Sequence, residues 1–90
     1  MNEAKIAEIT KRSILSNANN RCEVCSIPLG YGKDEEKPHF YYIIPLFQGG
    51  EDIETNITVL CEKDGERFHE LDKETLKERA MYRENAEPFT

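Results

Sequence analysis

Three cysteines and an aspartate are the residues of this chain best placed to do chemistry: Cys22 and Cys25 stand two residues apart, and Cys61 and Asp64 repeat that spacing. A two-residue spacer lets both donor atoms of a knuckle turn toward one ion, and structural zinc is held tetrahedrally by four such donors. Cys22-Glu23-Val24-Cys25 supplies one half of a site. Cys61-Glu62-Lys63-Asp64-Gly65 supplies the other, with an aspartate where a full second knuckle would place its last cysteine. Asp64 can ligate through oxygen and keeps the spacing; His69 is the competing fourth donor if the following helix starts close enough. The alternative is that the cysteines are small buried apolar residues with no ion between them. Three cysteines cannot all pair as disulfides, so free thiols and a reducing compartment, the cytoplasm, are expected.

Such a staple matters because ninety residues make one domain at most, and a chain this short buries only a thin core. Hydrophobic residues make up 38% and charged residues 33%, a globular balance, with the apolar material concentrated between Phe40 and Leu60. No apolar run approaches the roughly 18 to 20 residues of a membrane span, and the amino-terminal segment lacks a signal peptide's apolar centre, so no membrane partner is expected. The net charge is −6, and its excess lies in the second half: residues 1–38 carry as many acidic as basic side chains, whereas residues 39–90 carry twice as many. A protein that neutralises phosphates usually presents a basic face, so this balance counts against tight, unaided nucleic-acid binding while leaving room for a local basic patch.

The elements that must position the four donors follow from periodicity. Ile6, Ile9, Ser13 and Ile14 share a face at helical spacing, predicting an amphipathic helix from Asn2 to about Asn17. Asn17-Ala18-Asn19-Asn20 then ends it, because asparagine tolerates left-handed backbone, and a loop presents Cys22. Gly30 to Pro38 reads as an exposed connection of little order. His39 to Leu46, aromatic and β-branched, predicts a buried strand running into a loop through Gln48-Gly49-Gly50, and Ile57, Val59 and Cys61 alternate as a second strand. From about Gly65 the spacing of Phe68, Leu71, Leu76 and Ala80 predicts one or two helices, with Asp72 and Glu74 early and Lys77, Arg79 and Arg83 late, as the helix dipole prefers. The tail from Asn85 is expected to fray.

The order of these pieces resembles the HNH, or ββα-metal (His-Me) finger, endonucleases over roughly residues 10–70: Asn-Arg-Cys-Glu-Val-Cys at 20–25, Ile-Ile-Pro-Leu-Phe-Gln-Gly-Gly-Glu-Asp at 43–52, then Asn56, then Leu60-Cys61. The resemblance implies a β-hairpin and a helix around one catalytic divalent ion, magnesium or manganese, with zinc knuckles holding the ends. In that family a histidine takes a proton from water and the ion stabilises the scissile phosphate. The histidine's position falls on Tyr42 and its preceding aspartate's on Tyr41. A phenol with a pKa near ~10 stays protonated at neutral pH, where an imidazole near ~6.5 is mostly free to accept a proton. The family's asparagine falls on Asn56, which would orient the base or hold the loop, and its helix-opening ion ligand falls on Gly65, which has no side chain to offer. His69, four residues later, is the remaining active-site candidate, whereas His39 should point to the strand face opposite Tyr42.

Together these readings predict a small α+β domain: an amino-terminal helix over 1–19, knuckle, hairpin and helix over 20–70, and a carboxy-terminal helix and tail over 71–90. They imply a degenerate HNH-like site of Tyr42, Asn56 and His69 beside a zinc staple of Cys22, Cys25, Cys61 and Asp64. The implied role is a catalytically impaired or inactive module binding DNA or a nucleic-acid-processing protein; the alternative is an active metal-dependent DNA nickase using Asn56 and His69. Small free-standing proteins of that family are frequent in bacteria and their phages.

Overall fold

Aromatic and β-branched residues set the centre of the molecule. The computed structural model describes residues 5–85, in which His39–Tyr42 forms strand β1 and Ile57–Leu60 forms strand β2. The two pair antiparallel, Phe40 opposite Val59 and Tyr42 opposite Ile57. Along β1, Phe40 and Tyr42 are buried while His39 and Tyr41 are half-buried, the alternation a pleated strand imposes. β2 is buried at all four positions. A lone two-stranded hairpin is marginal in water. Here helices α1 (Glu8–Asn17) and α3 (Lys73–Asn85) pack on β2, and the short α2 (Glu62–Glu66) contacts both strands.

The main core joins Ile14 and Leu15 of α1 to Phe40, Tyr42, Ile57, Val59 and Leu60 of the hairpin, and it includes Cys22 and Cys61. Each such side chain, fully buried, contributes about 1.5–3 kcal/mol. A smaller cluster pairs Ile43 with Leu76 and Ala80 of α3, and Val24, Phe68 and Leu71 pack against it. Of the four residues whose spacing predicts carboxy-terminal helices, Leu76 and Ala80 are buried on α3, whereas Phe68 and Leu71 lie before it and are half-buried. No described helix is long and apolar enough to cross a membrane.

Several elements differ from their expected bounds. The first helix begins at Glu8, after an extended Ala7 that offers no side-chain cap, and Asn2 lies outside the described residues. Ile6 therefore enters the core from non-helical chain, while Ile9 is exposed. At 100° per residue Ile9 sits about 140° around the helix from Ile14, off the buried face. The asparagine stop is as expected: Asn19 and Asn20 adopt φ of 59° and 57°, and the amides of Ala18, Asn19 and Asn20 donate to the carbonyls of Ile14, Ser16 and Leu15.

The 30–38 connection is tied down where little order was expected. The Gly30 amide donates to the Glu36 carbonyl at 2.9 Å, and the Glu35 carboxylate accepts from the Gly32 amide at 2.7 Å. β1 stops at Tyr42 because Asn56 intercepts the next backbone groups. The last helical region also starts early, at Glu62, breaks at a 3-10 turn over Phe68–Glu70, and resumes as α3.

Candidate metal centre

Each half of the centre is a turn whose own amides fold it around a sulfur. In the first, an antiparallel bridge between Arg21 and Pro28 forms the base, and the Cys22 amide donates to the Ile27 carbonyl at 2.9 Å. The Ser26 amide returns to the Cys22 carbonyl at 2.9 Å, with Ser26 in left-handed backbone at φ 68°, and the Val24 amide faces the Cys22 sulfur at 3.4 Å. The second half repeats this pattern. Cys61 caps the start of α2, its sulfur accepting from the Asp64 amide at 3.5 Å, and the Gly65 amide donates to the Cys61 carbonyl at 2.9 Å.

The hairpin brings the halves together, since the Glu23 amide donates to the Val59 carbonyl at 3.0 Å and so docks the first knuckle on β2 two residues before Cys61. One ligand atom from each of Cys22, Cys25, Cys61 and Asp64 lies within 4.8 Å of every other, a group that could hold a metal ion. The sulfurs of Cys25 and Cys61 are 3.7 Å apart, and Oδ2 of Asp64 is 3.2 Å from the Cys22 sulfur and 3.4 Å from that of Cys61. All three cysteines are free thiols. Cys22 and Cys61 are 2% exposed and Asp64 is buried, whereas Cys25 stands at the surface.

Electrostatics at the cluster favour one arrangement of protons. Burial, with the neighbouring thiols and carboxylate, pushes the Cys61 thiol up to about 12, against the opposing hydrogen bond from the Asp64 amide. Partial desolvation of its sulfur, with the neighbouring Asp64 and Cys22, also raises Cys25, although the residue stands at the surface. Burial also works to raise Asp64, but hydrogen bonds from the three thiols, and the Arg67 guanidinium 3.9 Å from Oδ1, outweigh it and hold the carboxyl below its usual range. Asp64 is therefore an anion that gathers thiol protons on one oxygen and keeps Arg67 on the other. A divalent cation in place of those protons would interact with the same oxygen and sulfurs and reverse the sign of the thiol shifts.

Behind the first knuckle lies an ion pair that spacing alone did not reveal. Glu23, in the spacer, is buried and takes Arg83 of α3 at 2.6 Å. Its other oxygen accepts from the Thr58 hydroxyl at 2.8 Å and the Val59 amide at 3.2 Å, while Arg83 also donates to the carbonyls of Glu54 and Ile57 at 2.7 and 2.9 Å. Arg79 donates to the Glu23 carbonyl at 2.7 Å. The knuckle is thus clamped to β2 and α3. Arg83 reads from sequence as a cation complementing the helix dipole, and no local pattern links it to a glutamate sixty positions away.

The residues expected to form a degenerate catalytic site are placed at the other end of the hairpin or at the surface. Tyr42 is fully buried, and its hydroxyl donates to Asp52 at 2.9 Å. Burial, then the hydrogen bond and charge of Asp52, raise its pKa above 10.0. Asn56 accepts from the Ile44 amide at 2.9 Å and spends both amide hydrogens on the carbonyls of Ile44 and Glu51, at 3.0 and 2.8 Å. These bonds tie the 44–51 loop to the start of β2, and Gly50 fits beneath because a Cβ there would run into the Ile44 carbonyl.

His69 does not share the helix of Gly65, because that helix ends at Glu66; it sits in the following turn, its side chain 80% exposed and 4.0 Å from Glu70. It joins neither the metal cluster nor Tyr42 and Asn56, so the fourth donor of the cluster is Asp64. Tyr41 stacks on Phe68 with ring centroids 4.7 Å apart, and its hydroxyl oxygen lies 2.6 Å from where a Cβ on Gly65 would be. His39 lies on the strand face of Tyr41, opposite Tyr42, as expected from the pleat.

Comparison with known proteins finds no matching family model and no matching curated protein.

Proposed function

We propose that this chain is a zinc-stapled binding module built on the HNH-like pattern, with its hydrolytic site closed. The observation that carries the reading is the contrast between a converging donor quartet and an occupied catalytic position. Metal–sulfur bonds of about 2.3 Å give a zinc tetrahedron edges of about 3.8 Å. The 3.7 Å separation of the Cys25 and Cys61 sulfurs matches such an edge, and the shorter sulfur–oxygen edges suit the shorter metal–oxygen bond. Three sulfurs and one carboxylate oxygen suit zinc better than magnesium or calcium, which take oxygen donors.

The hairpin supports a module without hydrolytic activity. The Tyr42 phenol is protonated at neutral pH and committed to Asp52, so it takes no proton from water. Gly65 offers no side chain to an ion, and the Tyr41 ring stands where a Cβ at that position would be. Asn56 has no amide hydrogen left to give. The module then acts by binding nucleic acid or a nucleic-acid-processing protein, in a reducing compartment that keeps its thiols free.

A plasmid-nicking assay with magnesium and manganese tests the hydrolytic half. The parent protein is expected to leave supercoiled plasmid intact. Cleavage by the parent that His69→Ala abolishes would establish the nickase instead.

A further inference from the structure

Between the knuckle and α3 runs a groove of about 610 Å³, open to solvent and within the size range of small-molecule sites. Asn17, Asn19 and Arg21 line one wall, and Thr75, Arg79 and Tyr82 line the other. We infer that this groove binds a nucleotide unit, its phosphate between Arg21 and Arg79 and its base on the exposed ring of Tyr82. The inference deepens the binding-module reading and rests on it for the partner class.

The two arginines are the first observation. Each is pinned by one N–H to a backbone carbonyl, Arg21 to Ser26 at 2.9 Å and Arg79 to Glu23 at 2.7 Å. A guanidinium has five N–H donors, so each bond holds its arginine toward the groove and leaves most of the donors available. Among the described residues neither has a carboxylate in ion-pairing range, in a chain with eighteen acidic side chains and twelve basic ones. Arg83 and Glu23 on the floor neutralise each other, so Arg21 and Arg79 against Glu78 leave the groove one net positive charge on a protein of −6. The carbonyl end of α1, which would repel an anion, is already satisfied by the amides of Ala18, Asn19 and Asn20.

The ring is the second observation. Tyr82 is 69% exposed and three residues after Arg79, so the two project from neighbouring positions on one helix face. An aromatic face beside guanidinium donors is the pairing that recognises a base together with its phosphate, and it accepts any base because every base has a flat face.

Amide NMR titrations of the full chain with adenosine monophosphate, inorganic phosphate and a short oligothymidylate test the assignment. Nucleotide and oligonucleotide should shift the amides of Asn19, Arg21 and the α3 stretch from Thr75 to Tyr82. Arg21→Ala should weaken both by roughly ten-fold, and Tyr82→Ala should weaken them similarly while leaving inorganic phosphate unchanged. Arg79 also props the knuckle, so Arg79→Lys is the companion variant, and the spectrum of each variant reports whether it remains folded. Equal affinity for the mononucleotide and the strand assigns a free nucleotide, whereas roughly ten-fold tighter strand binding assigns a nucleic-acid segment. Absence of shifts at these amides, or affinities unchanged in Arg21→Ala and Arg79→Lys, overturns the groove. Strand binding that maps to another surface overturns it while sparing the module reading, whereas plasmid cleavage defeats that reading without touching the groove.

Discussion

The two ends of the hairpin handle polar atoms in opposite ways. Beyond His39 and Leu60, three thiols and one carboxylate converge on a shared centre, and their strongest contacts are with one another. Beyond Tyr42 and Ile57, Asn56, Asp52 and Tyr42 are consumed by neighbouring backbone and by each other. Thiols that share the Asp64 carboxylate form a set of donors that a metal ion could hold together by displacing their protons. The amide and phenol at the other end spend their hydrogens on backbone carbonyls and on Asp52, and hold the loop.

Withdrawing the proposed zinc should have the largest effect. Structural zinc contributes about 10 kcal/mol or more of apparent folding free energy, comparable to the whole stability of a small domain. A strong chelator is therefore expected to abolish the cooperative thermal transition seen by circular dichroism, and Cys61→Ser should do the same without chelator. A chelated protein that melts at the same temperature as the untreated one would erase the distinction between the two ends.

Next in size is the ion pair that clamps the knuckle. Removing one partner of a buried pair costs about 3–5 kcal/mol because the other charge is stranded, so Arg83→Met should unfold at much lower denaturant. Replacing Glu23 and Arg83 together by apolar residues should recover part of that loss, since no charge is stranded but the Thr58 hydroxyl, the Val59 amide and the Glu54 and Ile57 carbonyls lose their partners. If single and double variants prove equally unstable, the pair is not what couples knuckle to helix.

At the loop end, Asn56→Ala removes three hydrogen bonds and leaves the Ile44 amide short of a partner, an expected loss of roughly 2–3 kcal/mol by denaturant titration. Metal content should be unaffected in whatever fraction remains folded. Loss of both together would join regions that the account keeps apart.

Smallest is Tyr42. Its folded-state pKa lies above 10.0, so the neutral phenol is favoured in the native protein. That stability is fully present below the unfolded pKa near ~10 and is lost as pH climbs through the folded value. Unfolding measurements at several alkaline pH values should show this decline, and Tyr42→Phe, at a cost of about 1 kcal/mol near neutrality, should remove its share of it. An unchanged alkaline decline in that variant would mean the phenol titrates as it does in solvent.

The sequence made the quartet legible because equal spacing in two turns is a local property, and it located the hairpin because Phe40, Tyr42, Ile57 and Val59 have nowhere to go but inward. Ile9 misled because apolar residues at helical spacing say nothing about where the helix begins. His69 looked like a helix-face partner of Gly65 only so long as α2 was allowed to continue past Glu66. The Glu23–Arg83 pair joins positions distant in the chain, and nothing near either residue signals the other. Asn56 was singled out by its position, but its bonds to Ile44 and Glu51 emerge only once the loop has folded over them.

Elemental analysis of the purified full chain, alongside Cys22→Ser, Asp64→Ala and His69→Ala, decides whether the quartet is a zinc staple. About one equivalent of zinc is expected in the parent and in His69→Ala, and a large loss in Cys22→Ser and Asp64→Ala. Less than about a tenth of an equivalent in the parent, or loss confined to His69→Ala, would contradict the staple.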